Sequence, residues 1–88
     1  KNTYVKEKKA LIIRDGSDCF YCRLPLEDDV TVEHLISLVS GGPNSLANMV
    51  LAHEACNHKM GNKLLVEKVN YAINSAINSK KDTNYGNY

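Results

Sequence analysis

The chain has 88 residues, of which 43% are hydrophobic and 24% are charged. This length allows one domain, or at most two very small ones, and the composition excludes collagen-like chains and most disordered ones. The net charge of +1 argues against binding nucleic acid by bulk electrostatics alone, although it conceals a basic start, an acidic middle and a mildly basic end.

The predicted elements follow one another without an internal repeat. In chain order they are a helix over 5–14, a tight turn at 19–22, a strand over 30–38, a glycine-rich loop at 40–44, a short strand over 48–52, and helical structure from about residue 54 with a kink or break near residues 61–62. In the last helix, four apolar residues recur at helical steps and predict an apolar face: Leu65, Val69, Ile73 and Ile77. Ala72 and Ala76 fill the same face. Residues 1–79 are expected to form one domain and residues 80–88 a flexible tail.

No segment of the sequence predicts a membrane protein. The longest apolar runs, such as 10–13, are only a few residues long, which is too short to span a bilayer. The start of the chain shows no signal peptide. We therefore expect a cytoplasmic protein with no membrane partner.

Cysteine and histidine spacing predicts a structural metal site. Cys19 and Cys22 form a CxxC pair, and His53 and Cys56 repeat the same two-residue gap. Together they make a Cys₃His set, which is a known structural zinc set. His58 is the alternative to His53, with a tighter spacing to Cys56. A redox CxxC pair or buried apolar cysteines are the other interpretations, but the βαβ context of a redox pair is missing.

Further motifs lie between and after these two half-sites. In order they are Val32-Glu33-His34-Leu35-Ile36, Ser40-Gly41-Gly42, Asn48 and Cys56-Asn57-His58-Lys59-Met60-Gly61. This order resembles the HNH endonuclease family over roughly residues 19–63. The resemblance implies an α+β fold: a small ββα-metal finger, made of a β-hairpin plus a helix, flanked by an N-terminal and a C-terminal helix and stapled by zinc.

The resemblance also implies an activity, that of a metal-dependent DNA endonuclease with little intrinsic sequence specificity. Hydrolysis of a phosphodiester needs an activated water and a cation at the phosphate. His34 is the predicted general base, because the ordinary pKa of imidazole lies near neutrality. Glu33 and Asn57 are the predicted ligands of a catalytic metal, with His58 as the alternative to Asn57, and oxygen ligands favour Mg²⁺ or Mn²⁺. Asn48 is expected to brace the loop and to help orient His34.

Basic side chains predict the DNA contacts. Arg23, Lys59, Lys63 and Lys68 are expected to hold phosphates on either side of the cut, and their alternative role is ordinary surface charge. The predicted substrate is double-stranded DNA, in a bacterial or phage-infected host cell.

Two other interpretations of the chain stay open. The first is a non-catalytic zinc module that binds nucleic acid or protein. Four residues discriminate it from a nuclease, because a purely structural finger needs none of them: Glu33, His34, Asn48 and Asn57. The second is the nuclease fragment of a larger restriction, homing or phage-packaging enzyme, which the start at Lys1 rather than Met leaves open.

Overall fold

The computed structural model describes residues 3–81, with side chains described through residue 79. Its elements are α1 (Val5–Asp15), β1 (Val30–His34), two 3₁₀ turns (Leu38–Ser40 and Leu46–Asn48), β2 (Met49–His53), α2 (Glu54–Met60) and α3 (Leu65–Lys81). This confirms the predicted α+β fold, a hairpin and a helix with a further helix on each side. None of the helices in this part of the chain is long and apolar enough to cross a membrane. The predicted tail begins inside α3 and otherwise lies outside the described residues, so it stays a prediction.

The hairpin separates two small cores. Strands β1 and β2 are antiparallel, with Val30 opposite His53 and His34 opposite Met49. Because alternate strand residues point to opposite faces, one face packs Met49 and Leu51 against Leu11 of α1. The other face carries Ala52, which packs with a second buried group: Cys19, Tyr21, Met60 and Ala72. The hairpin therefore links α1 on one side to the cysteine turn, α2 and α3 on the other.

Strand β1 ends four residues earlier than predicted, and Asn48 is the reason. Its buried carboxamide accepts a hydrogen bond from the Ile36 N–H and donates to the Ile36 and Pro43 carbonyls, each at 2.9 Å. Because both backbone polar groups of Ile36 bond this side chain, they make no hydrogen bonds to strand β2, and the chain turns into the loop. A Cβ at Gly42 would collide with the Ile36 carbonyl, so this close turn requires glycine. The prediction of a strand through residue 38 is wrong.

The break between the last two helices is confirmed. The apolar face predicted for α3 is confirmed in part, because Ala72 is buried and Val69 and Ala76 are half-buried, whereas the larger apolar side chains are exposed. Helix α2 ends at Gly61, which has a φ of 49° and donates its N–H to the Asn57 carbonyl. In α3, Leu65 and Ile73 are 41% and 51% exposed, whereas Lys68 and Ala72 are buried. The face of the hairpin that meets α3 carries the Glu33 carboxylate, and Lys68 rather than an apolar residue pairs with it.

Candidate functional site

The first half of the cysteine cluster is built by a short turn. The Cys19 N–H donates to the Leu24 carbonyl at 2.8 Å, and the Leu26 N–H donates to the Ser17 carbonyl at 2.9 Å. Inside this turn, the Cys22 N–H lies 3.5 Å from the Cys19 sulfur. The backbone bonds therefore hold both thiols on the same side of the turn.

The second half comes from the junction of β2 and α2. His53 Nδ1 lies 3.3 Å from the Cys22 sulfur and 4.0 Å from the Cys56 sulfur. The four ligand atoms, one each from Cys19, Cys22, His53 and Cys56, all lie within 4.8 Å of one another. Ligands of a tetrahedral zinc are about 3.5–3.8 Å apart, given its usual bond lengths. Within the described residues, the histidine that joins the cysteines is His53 and not His58.

The surroundings of these ligands also fit zinc. His53 Nε2–H donates to the Pro25 carbonyl at 2.9 Å, so Nδ1 is the nitrogen free to coordinate. A zinc-bound histidine normally donates its other ring N–H to an outer acceptor in this way. Burial acts to raise the pKa of Cys19, but hydrogen bonds, chiefly from backbone N–H groups, outweigh it and lower that pKa to about 7. Burial and then the charge of Cys19 raise the pKa of Cys56 to about 12. A thiolate at Cys19 thus disfavours a second thiolate at Cys56 unless a cation lies between them. The Cys₃His cluster is compatible with a structural zinc.

A second site lies where the end of β1 meets the end of α2. It is an open cavity of about 550 Å³ whose lining includes four of the predicted site residues: Glu33, His34, Asn57 and His58. Its other walls come from the loop after β1 and from residues 61–62. Asn48 does not line the cavity. Its carboxamide instead holds the loop after β1, through the hydrogen bonds to Ile36 and Pro43.

Glu33 is buried with only 5% of its surface exposed, and one of its oxygens is fully engaged. Glu33 Oε2 accepts a hydrogen bond from the Tyr21 hydroxyl at 2.6 Å and pairs with the Lys68 ammonium at 3.2 Å. Burial and then this hydrogen bond raise the pKa of Tyr21, so the phenol stays a neutral donor. Within residues 3–81, the bonds of the carboxylate all end on Oε2. Among these residues, Oε1 is therefore the oxygen without a bond to the protein.

Lys68 is the clearest departure from the sequence analysis. Its side chain is 1% exposed, and its Nζ donates to the His34 carbonyl at 2.9 Å as well as pairing with Glu33. The prediction that Lys68 contacts phosphates is wrong, because its ammonium is buried and bonded to Glu33 and to the His34 carbonyl. A buried carboxylate needs a cation partner, but no spacing in the sequence indicates which lysine supplies it.

Asn57 and His34 each have one side-chain atom fixed by the protein. Asn57 Nδ2 donates to Thr31 Oγ1 at 3.1 Å and lies 3.5 Å from the Val32 carbonyl, so its Oδ1 is the atom available to a ligand. His34 is half-buried, and its Nε2 lies 2.9 Å from the side-chain oxygen of Asn44. Asn44 was not singled out from the sequence, since one more polar residue in a turn is unremarkable there.

The remaining basic residues predicted to contact DNA are exposed, and they line two different grooves. Lys59 and Lys63 line a shallow groove between α2 and α3, where the Lys59 ammonium bonds the Tyr71 hydroxyl at 3.0 Å. Arg23 lies elsewhere, at a groove lined by Arg14 and the start of the cysteine turn. The structure therefore brings together the base and the ligand candidates, but it separates Arg23 from the two lysines.

Comparison with known proteins agrees with this arrangement. The family model described as HNH endonuclease matches residues 19–63, just over half of the chain. The matched segment begins at the cysteine turn, includes both strands and α2, and ends before α3. The chain belongs to the HNH endonuclease family, whose members are nucleases that use divalent metals and act on DNA. No curated protein matches it.

Proposed function

We propose that this protein is a metal-dependent endonuclease that hydrolyses phosphodiester bonds in double-stranded DNA, with His34 as its general base. The observation that supports the proposal best is the shared cavity, whose lining includes His34, Glu33 and Asn57. A base next to two oxygen donors is the combination that this reaction requires.

The oxygen donors suit a hard divalent cation such as Mg²⁺ or Mn²⁺. Glu33 would offer Oε1 and Asn57 would offer Oδ1, since the other polar atom of each side chain is held by the protein. His58 also lines the cavity and is the alternative to Asn57. When bound, the cation would neutralise charge on the scissile phosphate.

His34 would take a proton from the attacking water. Its ring is half-buried and lines the open cavity, so water and a phosphate can both reach it. A positioned base of this kind contributes about 10²–10⁴-fold to a rate. Asn48 assists as a positioning residue, because it holds the turn that follows β1.

Zinc is assigned to Cys19, Cys22, His53 and Cys56 and has a structural role. The cluster joins the cysteine turn to the junction of β2 and α2. Asn57 directly follows Cys56, so a fixed Cys56 also fixes the first turn of α2, which presents the Asn57 carboxamide to the cavity.

DNA contacts are assigned to Arg23, Lys59 and Lys63, which are all exposed. Such side chains bind phosphates and carry no sequence information directly. A hairpin and one short helix contact few base edges, so we expect little sequence specificity from this chain.

One observation favours a second function, a non-catalytic zinc module that binds nucleic acid or protein. The ion pair with Lys68 already neutralises the Glu33 carboxylate, which reduces the attraction of the cavity for a second cation. Metal-dependent cleavage decides between the two functions.

The test is nicking of plasmid DNA by the zinc-loaded protein with added Mg²⁺ or Mn²⁺. His34→Ala should lower the rate by about 10²–10⁴-fold, while Asn78→Ala, an exposed change on α3, should cut like the wild type. Zinc content and circular dichroism of both variants establish that they are folded. Equal nicking by His34→Ala would remove His34 from the mechanism, and no cutting with any divalent ion would favour the binding module.

A further inference from the structure

Two side chains outside the proposed catalytic set meet His34 at its Nε2 edge. Asn44, in the loop between the strands, has its Oδ1 2.9 Å from His34 Nε2. Tyr4, at the start of α1, donates its hydroxyl to the same oxygen at 3.1 Å. The Tyr4 ring also lies edge-on to the imidazole, with 5.7 Å between the ring centroids. Two separate elements, the loop and the start of α1, therefore converge on His34.

This contact sets the position of the proton on the imidazole. A carboxamide oxygen only accepts hydrogen bonds, so His34 Nε2 must carry the hydrogen and donate it. The Tyr4 hydroxyl supplies the second donor, and together the two donors occupy both lone pairs of Asn44 Oδ1. In the neutral ring the lone pair is then on Nδ1, and within residues 3–81 no protein group hydrogen-bonds that atom.

Both partners of His34 are themselves held in place. Tyr4 has a φ of 66°, a left-handed conformation that is unfavourable for a residue with a side chain. Its carbonyl accepts the Lys8 N–H at 2.8 Å, which starts α1 at this point. Asn44 follows Pro43, whose carbonyl accepts a hydrogen bond from Asn48 Nδ2. Asn48 thus acts on His34 through Pro43 and Asn44 rather than by touching the ring.

We propose that Asn44 is a positioning residue that keeps neutral His34 in the Nε2–H tautomer and presents Nδ1 to the attacking water, with Tyr4 holding the Asn44 oxygen. The assignment rests on the proposed function of His34 as base. In the step, a water O–H bond breaks and its proton forms a bond to Nδ1, while the water oxygen forms a bond to phosphorus. The bond from phosphorus to the ester oxygen of the leaving strand breaks, and that oxygen leaves with the bonding pair and takes a proton from solvent. The imidazolium that results keeps its Nε2–H bond to Asn44.

The tautomer can be measured without DNA or a catalytic metal. Long-range ¹H–¹⁵N NMR spectra of the zinc-loaded protein are recorded about two pH units above the ordinary imidazole pKa of about 6.5, with His34→Ala identifying the ring signals. The wild type should show a single Nε2–H tautomer. Asn44→Ala should show both tautomers, so that its two ring-nitrogen shifts move toward each other, while Asn44→Asp keeps an acceptor and should retain the wild-type pattern. Asn78→Ala is the control.

Kinetics supply the second readout. Asn44→Ala should lower kcat by at least about 10-fold with KM nearly unchanged, because a base in the wrong tautomer cannot take the proton. Asn44→Asp should restore most of the rate. Tyr4→Phe removes only one hydroxyl and should shift the NMR signals in the same direction by less.

The outcomes separate this proposal from the proposed function. Identical ring-nitrogen signals in the wild type and in folded Asn44→Ala would overturn the role of Asn44, whatever the nuclease activity. Shifted signals in a protein that cuts no DNA would support the positioning of His34 and reject the nuclease. Were Asn44→Ala to misfold, Tyr4→Phe decides, and unchanged signals in that variant would overturn the proposal.

Discussion

The cysteine cluster and the cavity beside His34 both gather side chains suited to a cation, but they differ in how many donors are free. In the cluster, all four donors point at one another within 4.8 Å, which describes a closed structural site. In the cavity, Glu33 has one oxygen held by Tyr21 and Lys68, and Asn57 has its amide nitrogen held by Thr31. The cluster therefore offers four donors to one ion, whereas the cavity offers one free oxygen from each of two side chains.

The largest effect should follow loss of the closed site. Cys22→Ser, or removal of metal by a strong chelator, should unfold the chain, because a structural zinc contributes on the order of 10 kcal/mol to folding. Circular dichroism with and without chelator measures the loss. His58→Ala should bind as much zinc as the wild type, since His58 lies outside the cluster. A spectrum that survives metal removal unchanged would contradict the structural role of the cluster.

A smaller effect should follow a change in the buried ion pair behind the cavity. Lys68→Met leaves the Glu33 carboxylate buried without its cation, which should lower the free energy of unfolding by about 3–5 kcal/mol. Urea unfolding of the zinc-loaded protein measures the change. The double variant Lys68→Met/Glu33→Gln should regain most of the loss, because no charge is then left unpaired.

The double variant also sharpens the interpretation. Should Lys68→Met alone match the wild type in stability, the ammonium would contribute no net stability, and α3 would be held by apolar packing at Ala72 instead. Equal destabilisation of the single and double variants would point to lost packing of the lysine stem rather than to the charge.

The smallest effect should come from the exposed lysines of the groove between α2 and α3. Lys63→Ala should weaken DNA binding only a few-fold and reduce the slope of log K against log salt by about 0.9, as expected for one lost phosphate contact. Fluorescence anisotropy with a labelled duplex over a range of salt concentrations measures both quantities. If the slope of Lys63→Ala equals that of Asn78→Ala, then Lys63 makes no phosphate contact and is an ordinary surface charge.

The closed site could be predicted from the sequence because its information is local. Each half is a pair of ligands two residues apart, and a turn or the start of a helix is enough to bring the members of a pair together. Hydrophobic periodicity and the positions of glycine likewise predicted the hairpin, the break at Gly61 and the three main helices.

The supporting partners could not be predicted, because they depend on contacts between distant segments. Lys68 reaches Glu33 from 35 positions away along the chain, and the apolar pattern of α3 predicted no buried lysine. The early end of β1 depends on Asn48 capturing Ile36. Asn44 looks like any turn residue until the fold places it against His34.

The attachment of α3 has a mechanical consequence. The Lys68 ammonium bonds the Glu33 side chain and the His34 carbonyl at once, and Lys68 and Ala72 are the buried residues among the described ones of α3. Rotation of this helix about its own axis would therefore displace Glu33 and His34 together. Such a rotation would reach the residues proposed for catalysis, although α3 lies beyond the segment that matches the family.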